Sequence, residues 1–336
     1  MMRRTIQPDA PHPDVPRPGG PPPGSSVPHG RPAETRLEDR DWDRLIRQLR
    51  AGQVAPFLGA GACHGTLEMA GALAGRWADE YDYPFEDRFD LARVMRYVAV
   101  LEDDLTYVKG EFLRRHFTGI TAPNDPDDPH VALARFPLPL YLTTNYDDLL
   151  TRSLRAAGRD PRRVLCPWYD GAPYDPDAFV PPPGGSPADE PVVYHLHGHD
   201  GHPESLVLTE DDYIQFLVAL IEDRNKEEDT SARVSLVPPA VQEALARRPL
   251  LFVGYSLRDW TFQVLLQGLV KGLPTTHRRS HISVQMLPLP DGATDDQRRS
   301  AEEYLDRYFA DLKVSVYWGS ARDFFRELNR RAGGTP

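Results

Sequence analysis

VAPFLGAGAC, residues 54–63, is a short apolar run that stops on a pair of glycines. A run of four to eight apolar residues closed by turn chemistry is the signature of a strand buried on both faces. Three later stretches repeat the pattern: YLTTNYDDLL (141–150), PVVYHLHGH (191–199) and PLLFVGYS (249–256). HISVQML (281–287) and VSVYWG (314–319) complete the set of strands. Between them lie segments with helical spacing. Trp42, Leu45, Ile46 and Leu49 mark an amphipathic helix over 38–51, and 65–80, 89–117, 238–248 and 259–272 read as helices. TEDDYIQFLVALIED (209–223) opens with a Thr N-cap and an acidic first turn. Further helices separate and follow the last two strands.

Strands alternating with helices predict an α/β fold: a Rossmann-like, three-layer parallel sheet with helices on both faces. Such sheets bind ligands at the C-terminal ends of their strands. The polar clusters Gly59–Cys63, Thr143–Asp147, His195–His199 and Gly254–Ser256 all fall at such ends. Four clusters are therefore expected to converge on one edge.

Residues 1–34 are rich in Pro, Gly, Asp and Ser and are read as a disordered tail. A single domain is expected over 35–332. Residues 76–135, mainly helical, interrupt the first two strands as an insertion that could fold over the site. Residues 167–190 read as a long Pro-rich loop.

The formal net charge of −11 argues against a nucleic-acid partner, which needs a basic surface, but leaves room for a small cationic pocket for phosphate. Two cysteines, Cys63 and Cys166, cannot supply a four-cysteine zinc site. No apolar run is long enough to span a membrane, and the residues after Met1 lack the hydrophobic stretch of a secretory signal. A cytoplasmic protein is expected.

Taken singly, each cluster has a plain alternative. The glycine turn at 57–63 could be a tight strand-to-helix turn or a backbone cradle for a pyrophosphate. Asn145 and Asp147 could cap a helix, or orient a ribose and a water. Ser256 or Asp259 could cap the following helix, or hold the far half of a dinucleotide. His195, His197 and His199 alternate, as metal ligands on one strand would. Gly198 is expected to end the strand and scatter the rings, and no HExxH or Cys partner accompanies them. No metal is therefore expected, and one histidine is favoured as a base.

Together and in this order, GAG, TTNYD, HLHGH with the TEDDY helix (Thr209–Tyr213), and VGYS resemble the sirtuin-like domain family, most closely its zinc-free bacterial branch. The resemblance covers about 40–330. It implies NAD as substrate, with Gly59, Ala60 and Gly61 at the pyrophosphate and Thr144 in the binding set. Asn145 would hold the nicotinamide ribose and a water, Asp147 would contact the nicotinamide side, and His197 would be the essential base. Gly254 and Ser256 would line the adenosine side. The implied activity is NAD hydrolysis to nicotinamide and ADP-ribose, in an NAD-depleting effector of anti-phage defence.

Two departures from the family pattern bear on this. The zinc module of sirtuin deacylases is missing, which sets the protein-deacylase and ADP-ribosyltransferase readings second, and Cys63 stands where sirtuins commonly carry Ser. Cys63 is read as a small turn residue, with a thiol activated by a helix N-terminus as the alternative. A non-catalytic NAD or ADP-ribose sensor and a histidine-based zinc hydrolase are further alternatives. An unregulated NAD hydrolase would poison its host. With the sequence ending at Pro336, control is expected from a homo-oligomer or a separate activating protein.

Overall fold

The computed structural model describes residues 37–333 except 174, 176, 182, 225–234, 256–280, 287–292 and 311–312. The N-terminal tail, Ser256, Arg258, Asp259 and the helix expected over 259–272 therefore lie outside the described residues. Among those described, seven strands form one parallel sheet in the order β3-β4-β2-β1-β5-β6-β7. They are β1 Ala55–Leu58, β2 Leu140–Thr143, β3 Arg162–Leu165, β4 Val192–His195, β5 Leu250–Val253, β6 His281–Gln285 and β7 Val314–Trp318. This is a Rossmann-like α/β architecture.

The sequence explains why helices cover both faces. Successive residues of a strand point to opposite sides, and here both sides are apolar. Phe57, Leu142, Tyr194 and Phe252 face one layer, built from α7 (Glu210–Arg224), α8 (Pro239–Arg247) and α9 (Asp295–Ala310). Leu58, Tyr141, Val193 and Leu251 face the other, built from α1 (Asp39–Arg50), α5 (Pro129–Ala134), α6 (Leu149–Ala156) and α10 (Ala321–Arg331). In that second layer Trp42 stacks on Phe324 at 5.0 Å between ring centroids.

Three helices belong to neither layer. α2 (Ala70–Glu80), α3 (Leu91–Glu102) and α4 (Leu105–His116) gather around Trp77, Met95, Val98 and Phe112, and rest on Leu206 and Leu208. Of the stretch 76–135, then, most forms this module, whereas α5 packs beneath the sheet. The module is pinned by a buried ion pair: Lys109 Nζ on α4 donates to Asp212 Oδ1 at 2.7 Å and to the Leu206 carbonyl at 2.7 Å. The other carboxylate oxygen of Asp212 accepts from the Leu208 and Thr209 amides and the Thr209 hydroxyl.

Three elements differ from expectation. The helix expected over 89–117 is two, α3 and α4, divided where Asp103 takes the left-handed conformation at φ 52°. The strand β3 (RRVL) was not foreseen, because it is a half-exposed edge strand whose arginines break the apolar pattern. The helix expected from 65 begins at Ala70: a four-residue 3₁₀ turn, Ala60–Cys63, follows β1, and Gly65 then takes φ +91°.

Candidate functional site

Because the sheet is parallel, the segments after β1, β2, β4 and β5 leave from the same edge. β1 lies between β2 and β5, where the chain changes direction across the sheet, and such a switch point opens a crevice. Here the turns after β1 and β5 pack backbone against backbone. Gly254 has φ +79°, and a Cβ there would lie 2.1 Å from the Ala62 amide nitrogen. No other residue fits without moving the loop.

A cavity of about 950 Å³ lies over this edge, lined on the sheet side by Ala60, Gly61, Cys63, Thr144, Asn145, Asp147, His197 and Gly254. Its volume is in the range of cofactor sites. The module supplies the opposite wall, with Leu73, Phe89 and Phe112 beside Arg76, Arg93 and Arg115. Each arginine is already paired, Arg76 with Glu68, Arg93 with Asp87 and Arg115 with Glu80. A chain of net negative charge thus places cations at this wall. Gly59 sits behind the lining, where its carbonyl accepts from Asn145 Nδ2 at 3.1 Å.

Asn145 is held on three sides. Its backbone N–H donates to Thr143 Oγ1 at 2.9 Å. Nδ2 donates to the Gly59 carbonyl and to Cys63 Sγ, the latter at 3.2 Å. Cys63 passes its own hydrogen to Asp147 Oδ2 at 3.2 Å, and Asp147 Oδ1 accepts from the Leu149 amide at the start of α6. With both Nδ2 acceptors fixed, the orientation of the amide is set. Oδ1 is buried and has no hydrogen-bond partner among the described residues. Asp147 therefore serves the capping role that its sequence position allowed, while also lining the cavity.

His197 lines the same cavity, its ring edge-on to Tyr213 and Phe216 at 5.4 and 5.0 Å. Burial alone lowers its pKa to about 3, and Nε2 has no partner. The ring is thus neutral, and its pKa stands far below the range of the efficient base that the resemblance implies. The strand ends earlier than expected, at His195 rather than at Gly198; Gly198 takes φ +91°, and a Cβ there would meet the Ser205 carbonyl oxygen at 2.2 Å. The scatter is partial. His197 departs alone, whereas His195 and His199 meet edge to face at 4.9 Å. His195 Nδ1 lies 3.1 Å from the Asn145 carbonyl, and burial, followed by His199, lowers its pKa to about 3.

Cys63 is not an activated thiol. Burial, then the charge of Asp147, pushes its pKa well above the ordinary value. The alternative of a thiolate at a helix N-terminus is also removed by the late start of α2. What the sequence did not disclose is His130, whose Nε2 lies 3.9 Å from Cys63 Sγ and whose Nδ1 lies 3.0 Å from Asp128 Oδ1. The two are 67 positions apart, and DDPHVALARF carries no spacing that points to Cys63.

Comparison with known proteins identifies a family. A family model described as a SIR2-like domain matches residues 139–312. The chain is 21% identical to an NAD(+) hydrolase ThsA of Acinetobacter baumannii (strain 532279), over 86% of this chain and 55% of that protein. It is 25% identical to proteins of the same name from Enterococcus faecium, over 50% of this chain and 30% of that protein, and from Cytobacillus dafuensis, over 66% and 39%. The chain spans about half or less of the length of these relatives. With the matched region covering more than half of the sequence, and the GAG, TTNYD, HLHGH and VGY turns gathered at one sheet edge, the chain belongs to the SIR2-like domain family.

Proposed function

We propose that this protein hydrolyses NAD at the nicotinamide–ribose bond, releasing nicotinamide and ADP-ribose. The observation that carries the reading is a pair of buried, unpartnered polar atoms, Asn145 Oδ1 and His197 Nε2, on two residues that line one cavity. Buried polar atoms without partners are uncommon, and both suit hydroxyl or water donors. The names of the relatives support the same substrate.

In this reading the ribose hydroxyls and the attacking water donate to Asn145 Oδ1 and His197 Nε2. As the C1–N bond breaks, its electron pair leaves with nicotinamide and positive charge grows on the ribose. Asp147, about one side chain away through Cys63, supplies negative charge near that centre. Water then adds at C1 and loses a proton. Ala60, Gly61, Thr144 and Gly254 hold the remainder of the dinucleotide, and Arg76, Arg93 and Arg115 can exchange carboxylate partners for phosphate. Bond cleavage in this scheme uses no metal.

An NAD-depleting role in anti-phage defence, a cytoplasmic location, and control by a homo-oligomer or a separate activator belong to the same proposal. No helix among the described residues is long and apolar enough to cross a membrane. Purified protein is incubated with NAD, and nicotinamide and ADP-ribose are followed with time, with and without an acylated peptide. Release without peptide supports hydrolysis; release only with peptide identifies a deacylase; binding with no release under either condition identifies a sensor.

A further inference from the structure

Cys63, His130 and Asp147 are all buried, and one donor atom from each lies within 4.8 Å of the other two. We propose that these three residues form a binding site for a soft divalent cation of the zinc class, open to the substrate cavity. The sequence-based expectation of no metal weighed the alternating histidines and a four-cysteine site, and this site is neither.

The donor set and its spacing support the assignment. Thiolate, imidazole and carboxylate are the ligands that zinc takes, usually four around a tetrahedron. Bond lengths of about 2.3 Å to sulfur and about 2.0–2.1 Å to nitrogen or oxygen place tetrahedral donors roughly 3.5 Å apart. Cys63 Sγ lies 3.2 Å from Asp147 Oδ2 and 3.9 Å from His130 Nε2, each within a few tenths of an ångström of that separation, and the His130 and Asp147 donors lie within 4.8 Å of each other.

The surroundings prepare the ligands. Asp128 Oδ1 sits 3.0 Å from His130 Nδ1, an arrangement in which Nδ1 carries the hydrogen and Nε2 turns its lone pair toward the sulfur. A carboxylate behind a histidine is the usual second partner of a metal-binding imidazole. Asp128 is itself fixed, accepting from the His130 amide at the head of α5. Cys63 and Asp147 line the cavity, which gives an ion a route in and leaves a fourth position for water.

The exchange balances. The hydrogen that Cys63 donates to Asp147 is released to solvent, the sulfur lone pair binds the ion, and Asp147 turns from hydrogen-bond acceptor to ligand.

The test is a cobalt titration of the chelator-stripped protein followed by absorbance. Co²⁺ is expected to bind one to one, with tetrahedral visible bands and a thiolate-to-cobalt band in the near ultraviolet, both bleached by Zn²⁺. Cys63→Ser should remove the near-ultraviolet band, and Cys166→Ser should leave it. Asp128→Asn should keep the band while weakening binding about ten- to a hundredfold, which preserves the test if Cys63→Ser folds poorly. A wild-type protein without the thiolate band, or a band that survives Cys63→Ser, overturns the site. The spectrum does not depend on NAD turnover, so its failure leaves the proposed hydrolysis untouched.

Discussion

At the scale of single residues, the site depends on what Asn145 and His197 leave unpaired. Asn145→Ala removes the oxygen offered to ribose and water, and His197→Ala removes the second unpaired group. Each is expected to lower nicotinamide release by about a hundred- to ten-thousand-fold. Binding of NAD, measured by calorimetry, should fall much less, since Gly61 and Gly254 contribute backbone rather than these side chains. Full turnover by His197→Ala would relocate the site. The buried histidines also set a pH limit. His197 and His195 have pKa values near 3 and His281 near 4, against 6.5 for a free imidazole. Their neutral forms are favoured by folding, so the unfolded chain binds more protons as the solution is acidified. Stability is then complete above about pH 6.5 and falls steadily toward pH 4, at about 1.4 kcal/mol per pKa unit for each ring. Urea midpoints should fall over that window; a flat profile from pH 7 to 4.5 would contradict the burial of these rings. Asn145 and His197 were legible in the sequence because each follows an apolar run that ends on polar residues. Cys63 with His130 was not, since nothing local marks two residues that only the fold brings together.

Among the elements, the junction between the helical module and the sheet turns on one buried charge. Lys109 and Asp212 are almost fully enclosed, at 4% and 3% exposure. Lys109→Met leaves the Asp212 carboxylate without its cation, which is expected to cost about 3–5 kcal/mol. Lys109→Met combined with Asp212→Asn should recover part of that loss, because the stranded charge is gone. Thermal melts of the two variants decide the point, and a double variant no more stable than the single would show that the charge is not the cause. The TEDDY segment announced its helix through Thr209 and its acidic turn, yet the partner of Asp212 lies on α4, beyond any local pattern. The strands β1, β2, β4 and β5 were readable for the opposite reason: apolar on both faces and closed by glycine or polar residues, each declares burial within eight or so residues. The edge strand β3 has one face at the margin of the core, and two arginines stand where the pattern would have shown.

For the whole molecule, the division into separate apolar clusters has a dynamic consequence. α2, α3 and α4 share a core of their own around Trp77 and Phe112, joined to the rest through Leu206 and Leu208. Regions with independent cores open at lower free energy than the sheet. Amide hydrogen exchange should therefore be faster in α2–α4 than in β1, β2 and β5, and Phe112→Ala should widen the gap by about 3–5 kcal/mol of local destabilisation. Uniform exchange across both regions would show that the module opens only with the global fold. The order of strands also fixes when the protein can take shape. β1 occupies the middle of the sheet and is among the first strands translated, yet its neighbour β5 pairs Ala55 with Leu250, nearly two hundred positions later. Until that partner leaves the ribosome, one edge of this apolar strand has nothing to bind. The nascent chain must carry that open edge through most of its synthesis, an interval in which chaperone capture competes with aggregation.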